Sequence, residues 1–259
     1  MGAFDGRTAW VTGASSGMGA AMVRQLAEGG ARVVLSARRR ERLDALAEEL
    51  RGRGAQAEVV PLDMALPADI TAAVASCPWP VDLLVNNAGI GQRSAAVDTD
   101  MATVRRIMEV NFFGLVQLTT AVLPGMLARG GGQVVNISSI SGHVATPRRS
   151  TYAASKHAVR AWSDALRAEV RDRGVQVTVA CPGYVRTAFA TAALRGDGTV
   201  NPDAEVRGLT AEDAAARILR ATAQGRREVL FGGKEVAAAY LMRWMPGLTQ
   251  RLLPLVAPR

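Results

Sequence analysis

The sequence contains little lysine, little cysteine and few aromatic residues. Of the 31 basic residues among 259, only Lys156 and Lys234 are lysines, so guanidinium groups carry almost all of the positive charge behind the net charge of +8. The two cysteines, Cys77 and Cys181, lie far apart and lack a CxxC or histidine-rich neighbourhood. This pattern argues against a disulfide framework and a zinc site. We therefore expect a reducing, cytoplasmic setting and no bound metal.

Targeting and membrane signals are also missing from the sequence. No charged segment, apolar stretch and cleavage site precede the first strand-like run, so we predict no secretory signal. No uninterrupted run approaches the length needed to cross a bilayer, so we predict no transmembrane segment. The pI of about 10.6 points towards nucleic acid, but the arginines are dispersed and aromatic residues make up only 5%. We therefore predict no nucleic-acid partner.

Strand-like and helix-like segments alternate along the chain. The strand-like runs are residues 8–12, 32–37, 58–62, 81–85, 133–138, 175–180 and 228–231. The helix-like segments are residues 18–28, 40–51, 68–76, 103–127, 152–173 and 211–223. Several strand-like runs are continuously apolar, which is typical of a parallel sheet covered on both faces. We predict an α/β fold, a Rossmann-like doubly wound sheet of about seven parallel strands with helices on both faces, in one domain over residues 1–259.

Two segments depart from this alternation. Residues 187–208 are rich in glycine and follow the sixth strand, so we predict a lid there. Residues 233–259 form an amphipathic, basic C-terminal extension. Because Pro246, Pro254 and Pro258 are expected to break it into short pieces, we favour packing over the substrate cleft or against another subunit to lying on a membrane surface.

The strongest local motif follows the first strand directly. Residues 12–19 read TGASSGMG and lead into the first helix. Glycines allow a tight turn and a close approach to a pyrophosphate, and the start of a helix offers unpaired N–H groups to an anion. A simple tight loop is the alternative. The strand-turn-helix context favours a dinucleotide site.

The second strand ends without the carboxylate that would bind a free ribose 2′-hydroxyl. Arg38 and Arg39 stand there instead. A guanidinium can hold a phosphate through two hydrogen bonds, so we predict that NADP(H) is preferred to NAD(H), with Arg38 as the main ligand and Arg39 or Ser15 assisting. The alternative is a solvated helix start whose arginines pair with neighbouring acids.

A tyrosine and one of the two lysines stand four residues apart in the segment YAASK at 152–156. This spacing places them on one face of a helix. A phenol is a poor acid or base at neutral pH, and a nearby ammonium is expected to lower its pKa by stabilising the phenolate. We predict that Tyr152 transfers a proton with help from Lys156. An ordinary polar pair on a helix surface is the alternative.

Together these motifs resemble those of the short-chain dehydrogenase/reductase family in its single-domain form. The matching features, in the family's order, are TGASSGMG at 12–19, Asp63, NNAG at 86–89, Asn111, Ser138-Ser139, YAASK at 152–156 and PGYVRT at 182–187. The resemblance implies that Tyr152 is the general acid/base, Lys156 its activator and ribose anchor, and Ser139 the hydroxyl that orients the carbonyl. Ser138 competes for that last role, and the spacing to Tyr152 favours Ser139.

The resemblance also implies a proton relay and a cofactor-binding set. Asn111 would hold a water that links Lys156 to solvent. Asp63 would contact the adenine and Asn87 the adenosine ribose, although each of these three polar residues has a purely structural alternative. The implied cofactor-binding residues are Gly13, Ser15, Ser16, Gly17, Met18, Gly19, Arg38, Arg39, Asp63, Asn87, Tyr152, Lys156, Pro182, Gly183, Val185 and Thr187.

The implied activity is an NADPH-dependent carbonyl reductase acting on a largely apolar ketone or secondary alcohol, in a homodimer or homotetramer. The alternatives are a 3-oxoacyl-carrier-protein or CoA reductase and, from another class, a non-catalytic dinucleotide-binding protein. Arg148 and Arg149 would attract an anionic acyl carrier or thioester, or form a solvated loop, the interpretation we favour. We expect His143 to make a loop hydrogen bond and His157 to be structural.

Overall fold

Seven parallel strands form the centre of the computed structural model, which describes residues 2–202 and 207–256, the last three by backbone alone. The strands are β1 (Thr8–Thr12), β2 (Arg32–Ser36), β3 (Ala57–Val59), β4 (Leu83–Asn86), β5 (Gly132–Ile137), β6 (Val175–Pro182) and β7 (Glu228–Phe231). They lie in the order β3-β2-β1-β4-β5-β6-β7, and each neighbouring pair is parallel. The predicted doubly wound sheet is confirmed.

Helices cover both faces of the sheet. They are α1 (Gly17–Glu28), α2 (Arg40–Gly52), α3 (Pro67–Ser76), α4 (Met101–Met108), α5 (Gly114–Ala128), α6 (Ser150–Glu169), α7 (Ala211–Ala223), α8 (Glu235–Trp244) and α9 (Pro246–Val256). Successive strand side chains point to opposite faces. Val11 and Val33 therefore pack against α1, α2 and α7, while Trp10 and Val34 pack on the other face against α3, α5 and α6.

The strand order reverses at β1, which lies between β2 and β4. In open α/β sheets such a point leaves a crevice at the carboxyl ends of the strands, where ligands bind. The glycine-rich turn follows β1 and the NNAG segment follows β4. The topology thus brings motifs that are far apart in sequence to one edge of the sheet.

A π-helical turn interrupts the helix that was predicted over residues 103–127. The helical stretch is continuous from 101 to 128, but a π-helical turn, Glu109–Phe113, separates α4 from α5. By length and composition alone, this stretch is long and apolar enough to cross a membrane, with a mean hydropathy of 1.5. A search for unbroken apolar runs misses it because polar residues such as Thr119 interrupt the run. Since Leu118 and Met126 are fully buried in the core, the absence of a transmembrane segment stays our prediction.

The tail is divided at Pro246, as expected, because α8 ends at Trp244 and α9 begins at Pro246, but it is not broken at Pro254. Pro246 begins α9, a position that suits proline because the first helical N–H needs no partner. Pro254 lies inside α9 and does not end it, so that part of the prediction is wrong. Pro254 falls in the last turn, where its missing N–H removes only one helical hydrogen bond. Pro258 lies outside the described residues.

The predicted lid is tied to the body of the protein at Leu194. The Leu194 amide donates to the carbonyl of Gly91, and the Arg93 amide donates to the carbonyl of Leu194, at 3.0 and 2.8 Å. Residues 203–206 of this segment lie outside the described part of the chain, as do residues 1 and 257–259. The lid and the single domain over 1–259 therefore stay predictions.

Candidate active site

The glycine-rich turn has the tight geometry that its sequence predicts. Gly13 and Gly17 adopt left-handed φ values of 67° and 55°, and a Cβ on Gly19 would overlap the carbonyl oxygen of Gly13. Only glycine tolerates both conditions without strain. The start of α1 therefore lies close against the turn, with its N–H groups facing the crevice.

Asn87 and Thr12 fasten this turn to the end of β4. The Thr12 hydroxyl accepts hydrogen bonds from the amides of Asn87 and Ala88, at 3.0 and 3.1 Å. The Asn87 side-chain amide donates to the carbonyl of Thr12 at 3.0 Å. Asn87 thus has the structural role that the sequence left open, and its contact with the adenosine ribose stays a prediction. Asp63 closes a turn by accepting the Ala65 amide at 3.0 Å, and its adenine contact also stays a prediction.

Arg39, and not Arg38, contacts the glycine-rich turn. Its guanidinium donates to the hydroxyls of Ser15 and Ser16, at 2.9 and 3.1 Å. Burial and the neighbouring charges of Arg42 and Arg38 lower the pKa of Arg39. Among the described residues Arg38 makes no hydrogen bond or ion pair. Arg39 therefore stands beside the turn with the charge of Arg38 close to it, and no described residue gives either one a carboxylate partner.

Tyr152 and Lys156 lie buried side by side near the start of α6. They are 6% and 4% exposed, and the Lys156 ammonium is 5.8 Å from the centre of the Tyr152 ring. The ammonium donates to the carbonyl of Ile137, at the end of β5, at 2.8 Å. An exposed polar pair is therefore excluded for these two residues.

The structure separates the two adjacent serines. The Ser138 hydroxyl donates to the carbonyl of Lys156 at 2.9 Å and is buried beneath α6. Ser139 instead lies close enough to Tyr152 for its hydroxyl to lower the pKa of the phenol, and it donates to the carbonyl of Pro182 at 3.4 Å. It also accepts the Ser141 amide at 3.0 Å, which fixes its orientation. Ser139 is the serine that stands beside Tyr152, as the spacing predicted.

The pKa values of the pair depart from the sequence expectation. Burial lowers the pKa of Lys156 to about 8, because the charged ammonium loses its hydration. Burial also raises the pKa of Tyr152, and this effect outweighs those of the Ser139 hydroxyl and the positive charge of Arg149. The expected lowering of the phenol pKa by Lys156 is therefore wrong for this structure, in which the ammonium is directed at Ile137.

Asn111 lies in the π-helical turn and is fixed on three sides. Its side chain accepts the Ile90 amide at 2.8 Å and donates to the Ile90 carbonyl and the Ser155 hydroxyl, both at 3.0 Å. A Cβ on Gly89 would lie 3.2 Å from the Asn111 side-chain oxygen and 3.6 Å from the Lys156 nitrogen. Glycine at 89 therefore allows both groups to approach the same space. The water relay stays a prediction, in a π turn of the kind often found at functional sites.

Gln92 holds the start of α6 and was missed in the sequence. Its side-chain oxygen accepts the amides of Thr151 and Tyr152, at 2.9 and 3.2 Å. These N–H groups at a helix start have no partner within the helix. The residue before α6 is Arg149, which is not a capping residue. No signal in the sequence pointed to this role, because Ser150 and Thr151 stand directly before the predicted helix and are themselves ordinary capping residues.

The loop after β6 approaches the glycine-rich turn. A Cβ on Gly17 would lie 3.0 Å from the Thr187 methyl group, so these segments are close neighbours. Glu235, at the start of α8, accepts the Tyr184 amide at 2.9 Å, and a Cβ on Gly183 would overlap its carboxylate. Glu235 was also missed. The remaining predicted members of this loop, Pro182 and Val185, follow the same edge of the sheet.

A polar cluster supports the Ser139 loop from β7. Glu228 accepts hydrogen bonds from His143 and Arg160, both at 3.0 Å, so His143 makes the loop contact that was expected. Burial alone would raise the pKa of Glu228, but these two bonds lower it to about 2. The His157 ring bonds to the Ala153 carbonyl at 2.9 Å, consistent with a structural role.

Cys181 joins this cluster, and the donor atoms of His143, Cys181 and Glu228 lie within 4.8 Å of one another. Burial strongly raises the pKa of the Cys181 thiol, and a metal binds the thiolate. Arg160 already places a positive charge on the Glu228 oxygen that would face a metal. The group is therefore explained by hydrogen bonding.

The chain is similar to known proteins over most of its length. The family model described as short chain dehydrogenase matches residues 7–197. The chain is 41% identical over 256 residues to dehydrogenase/reductase SDR family member 7B of Bos taurus, covering 94% of this chain and 79% of that protein. It is 39% identical over 250 residues to dehydrogenase/reductase SDR family protein 7-like of Anopheles gambiae, with 92% and 79% covered.

Two solved structures are similar throughout. A short chain dehydrogenase/reductase from Burkholderia phymatum in complex with NAD has a TM-score of 0.85 and 27% identity, with 96% of each chain covered. A short-chain dehydrogenase from Sphingobium yanoikuyae in complex with NADPH has a TM-score of 0.79 and 29% identity, with 98% of this chain and 96% of that chain covered.

The lowered pKa of Lys156 can be measured directly, because the chain has only two lysines. In protein labelled with 13C at lysine Cε, the Lys234→Arg variant retains a single lysine resonance. We expect its titration midpoint near pH 8, with the ammonium present below and lost as the pH rises through that value. A midpoint above 10, the ordinary range of lysine, would show that Lys156 is not buried as described.

Proposed function

The chain belongs to the short-chain dehydrogenase/reductase family of NAD(P)-binding oxidoreductases, and we propose that it is an NADPH-dependent carbonyl reductase. The observation that carries the proposal is the grouping of Ser139, Tyr152 and Lys156 beside the glycine-rich turn, with Asn111 close to Lys156. A protein that only binds a dinucleotide has no need of a buried phenol and ammonium.

The proposed cofactor site fits the residues that surround it. The turn presents the N–H groups of α1 to a diphosphate, and glycine at 13, 17 and 19 leaves the backbone open to it. Arg39, with Arg38 nearby, would hold a 2′-phosphate, and Lys156 would donate to the ribose hydroxyls. Thr187 and its loop would close over the nicotinamide. When bound, the dinucleotide supplies the hydride.

The protein's own groups would orient the carbonyl and deliver the proton. Tyr152 donates its phenolic proton to the carbonyl oxygen while the carbon is reduced, and Ser139 donates a second hydrogen bond to the same oxygen. We propose that reduction is the working direction, because cells usually keep the NADPH pool reduced.

The space in front of Tyr152 favours a substrate with an apolar part. The ring of Phe189, 39% exposed, lies 5.9 Å from the Tyr152 ring. It comes from the predicted lid, and the sequence had not identified it as a site residue. We propose that the apolar part of a ketone packs against Phe189, which covers the reacting carbonyl from water.

The proposal also includes the oligomeric state and the cellular location. Met101 and Phe113, 58% and 50% exposed, leave apolar surface on the helical stretch 101–128, which supports a homodimer or homotetramer formed through it. Cys77 and Cys181 are both free thiols, which supports a reducing, cytoplasmic location.

Tyr152→Phe tests the proton donor. We expect kcat for NADPH-dependent ketone reduction to fall by about 10³-fold or more, because the phenol both donates the proton and polarises the carbonyl. NADPH binding, measured by fluorescence titration, should change little. Tyr240→Phe, at an exposed position on α8, is the matched control. A Tyr152→Phe enzyme with more than about a tenth of the activity would contradict the assignment.

Arg39→Gln and Arg38→Gln test the cofactor preference. We expect the wild type to favour NADPH over NADH in kcat/KM and the Arg39 variant to lose roughly 10- to 100-fold of that preference, since charged hydrogen bonds to the 2′-phosphate are removed. The Arg38 variant measures how much Arg38 itself contributes to the preference for NADPH. Arg40→Gln removes a charge that instead pairs with Asp44 at 3.5 Å and should keep the ratio. A wild-type preference for NADH would refute the proposed cofactor.

A further inference from the structure

A cavity lies among loops that border the proposed active site. It has a volume of about 210 Å³, and Arg93, Arg148, Arg149, Tyr184 and Asn201 are among the residues that line it. Its walls are the loop after β4, the loop before α6 and the loop after β6. Gln92 and Gly183 lie in two of these loops, and Tyr152 lies in the first turn of α6, directly after the remaining loop, so the cavity and the active site share supporting elements.

Three arginines line this cavity, and no carboxylate is among its described lining residues. Arg93, Arg148 and Arg149 form no ion pair or side-chain hydrogen bond among the described residues, and Arg149 only stacks over Tyr184, 5.9 Å from the ring centre. Asp203 and Glu205 lie outside that part of the chain. By contrast, Arg24 and Arg160 elsewhere in the protein pair with Glu49 and Glu228.

Like charges in a concave site raise the local positive potential and attract an anion. Arg93 and Arg149 are also half-buried, which removes part of the water that would otherwise screen them. Arg148 is exposed, as expected for the solvated loop that we favoured on the sequence, whereas Arg149 is only partly so. An anion with several oxygen atoms would satisfy the groups that now have no partner.

The backbone at Arg148 adopts a conformation that is unusual for a residue with a side chain. Its φ is 62°, and it is the one residue other than glycine with a positive φ among those described. Its carbonyl accepts the Ser94 amide at 3.1 Å, which ties this loop to the loop after β4. Glycine would adopt this conformation more easily. Strain that persists at a long charged residue is a known feature of ligand-binding segments.

The charge of one cavity residue, Arg149, also acts on the proposed proton donor, Tyr152. Arg149 immediately precedes α6, and its positive charge is one of the influences that lower the pKa of Tyr152. Tyr184, on the opposite wall, directly follows Gly183 of the proposed nicotinamide loop. The cavity is thus lined by direct sequence neighbours of the start of α6 and of Gly183.

We propose that this cavity binds an anionic group of the carbonyl substrate, a carboxylate or a phosphate, and so selects ketones that carry one. The inference rests on the proposed reductase function. Planar guanidinium groups suit either anion, because each offers two oxygen atoms to the fork of N–H donors. Phe189 would contact the apolar part of the same substrate, so the preferred substrate combines an apolar part with an anionic group.

The test compares one ketone skeleton in three forms, with a terminal carboxylate, a terminal phosphate monoester or a neutral methyl ester. Reduction by NADPH is followed for the wild type, Arg149→Gln and Arg148→Gly. The last variant removes a guanidinium while glycine keeps the left-handed backbone. Arg173→Gln, at an exposed position after α6, removes an equal charge far from the cavity.

We expect the wild type to reduce at least one anionic form about tenfold or more efficiently in kcat/KM than the methyl ester. In both cavity variants this ratio should fall towards one through a higher KM for the anionic form, while Arg173→Gln keeps it. The form with the larger ratio identifies the anion as carboxylate or phosphate. A ratio near one in the wild type, or an unchanged ratio in both cavity variants, would overturn the proposal.

A binding measurement separates failure of this inference from failure of the proposed function. Inorganic phosphate and succinate are titrated by calorimetry into wild type and Arg149→Gln saturated with NADP⁺, so that the 2′-phosphate site is already filled. Binding to the wild type that is lost in the variant supports the anion site even if no ketone is reduced. Reduction of the neutral ketone without anion binding or charge preference would instead support the reductase and refute the anion site.

Discussion

The burial of the Lys156 ammonium is the constraint on which the rest of the site depends. A charged group that is only 4% exposed is costly unless it is hydrogen-bonded, and the Ile137 carbonyl at the end of β5 supplies a bond at 2.8 Å. This bond requires α6 to lie directly over the carboxyl end of β5. Ser138 reinforces that position by donating to the Lys156 carbonyl. One turn of α6 earlier, Tyr152 is therefore held beside Ser139.

Contacts from other elements hold the first turn of α6, which carries Tyr152, in place. Gln92 accepts the first free amides of α6, and Glu228 anchors the loop that follows Ser139 through His143. Both partners come from elements distant in sequence that the parallel sheet brings to one edge. The π-helical turn places Asn111 against Ile90 and Ser155. The elements that carry the reacting groups are thus positioned largely by contacts between parts of the chain that are distant in sequence.

Much of this arrangement could be predicted from the sequence where the signal is local. The glycine-rich turn and the Tyr152–Lys156 spacing each depend on a few consecutive residues, and the apolar runs fixed most strand limits closely. Long-range partners could not be predicted, because nothing near Gln92, Glu235 or Glu228 says which loop each will meet. The pKa shift of Tyr152 was misjudged for the same reason, since burial depends on the whole fold. Pro254 shows that a local rule also fails where the helix is about to end.

In the proposed reaction, the dinucleotide supplies a hydride and Tyr152 supplies a proton. The most direct test is reduction of a ketone with NADPH deuterated at C4, using each of the two stereoisomers in turn, with the product analysed by mass spectrometry and NMR. The account predicts one deuterium on the carbinol carbon from one isomer only, and none on that carbon from D2O. A product with no deuterium from either isomer, or with carbon-bound deuterium from the solvent, would contradict it.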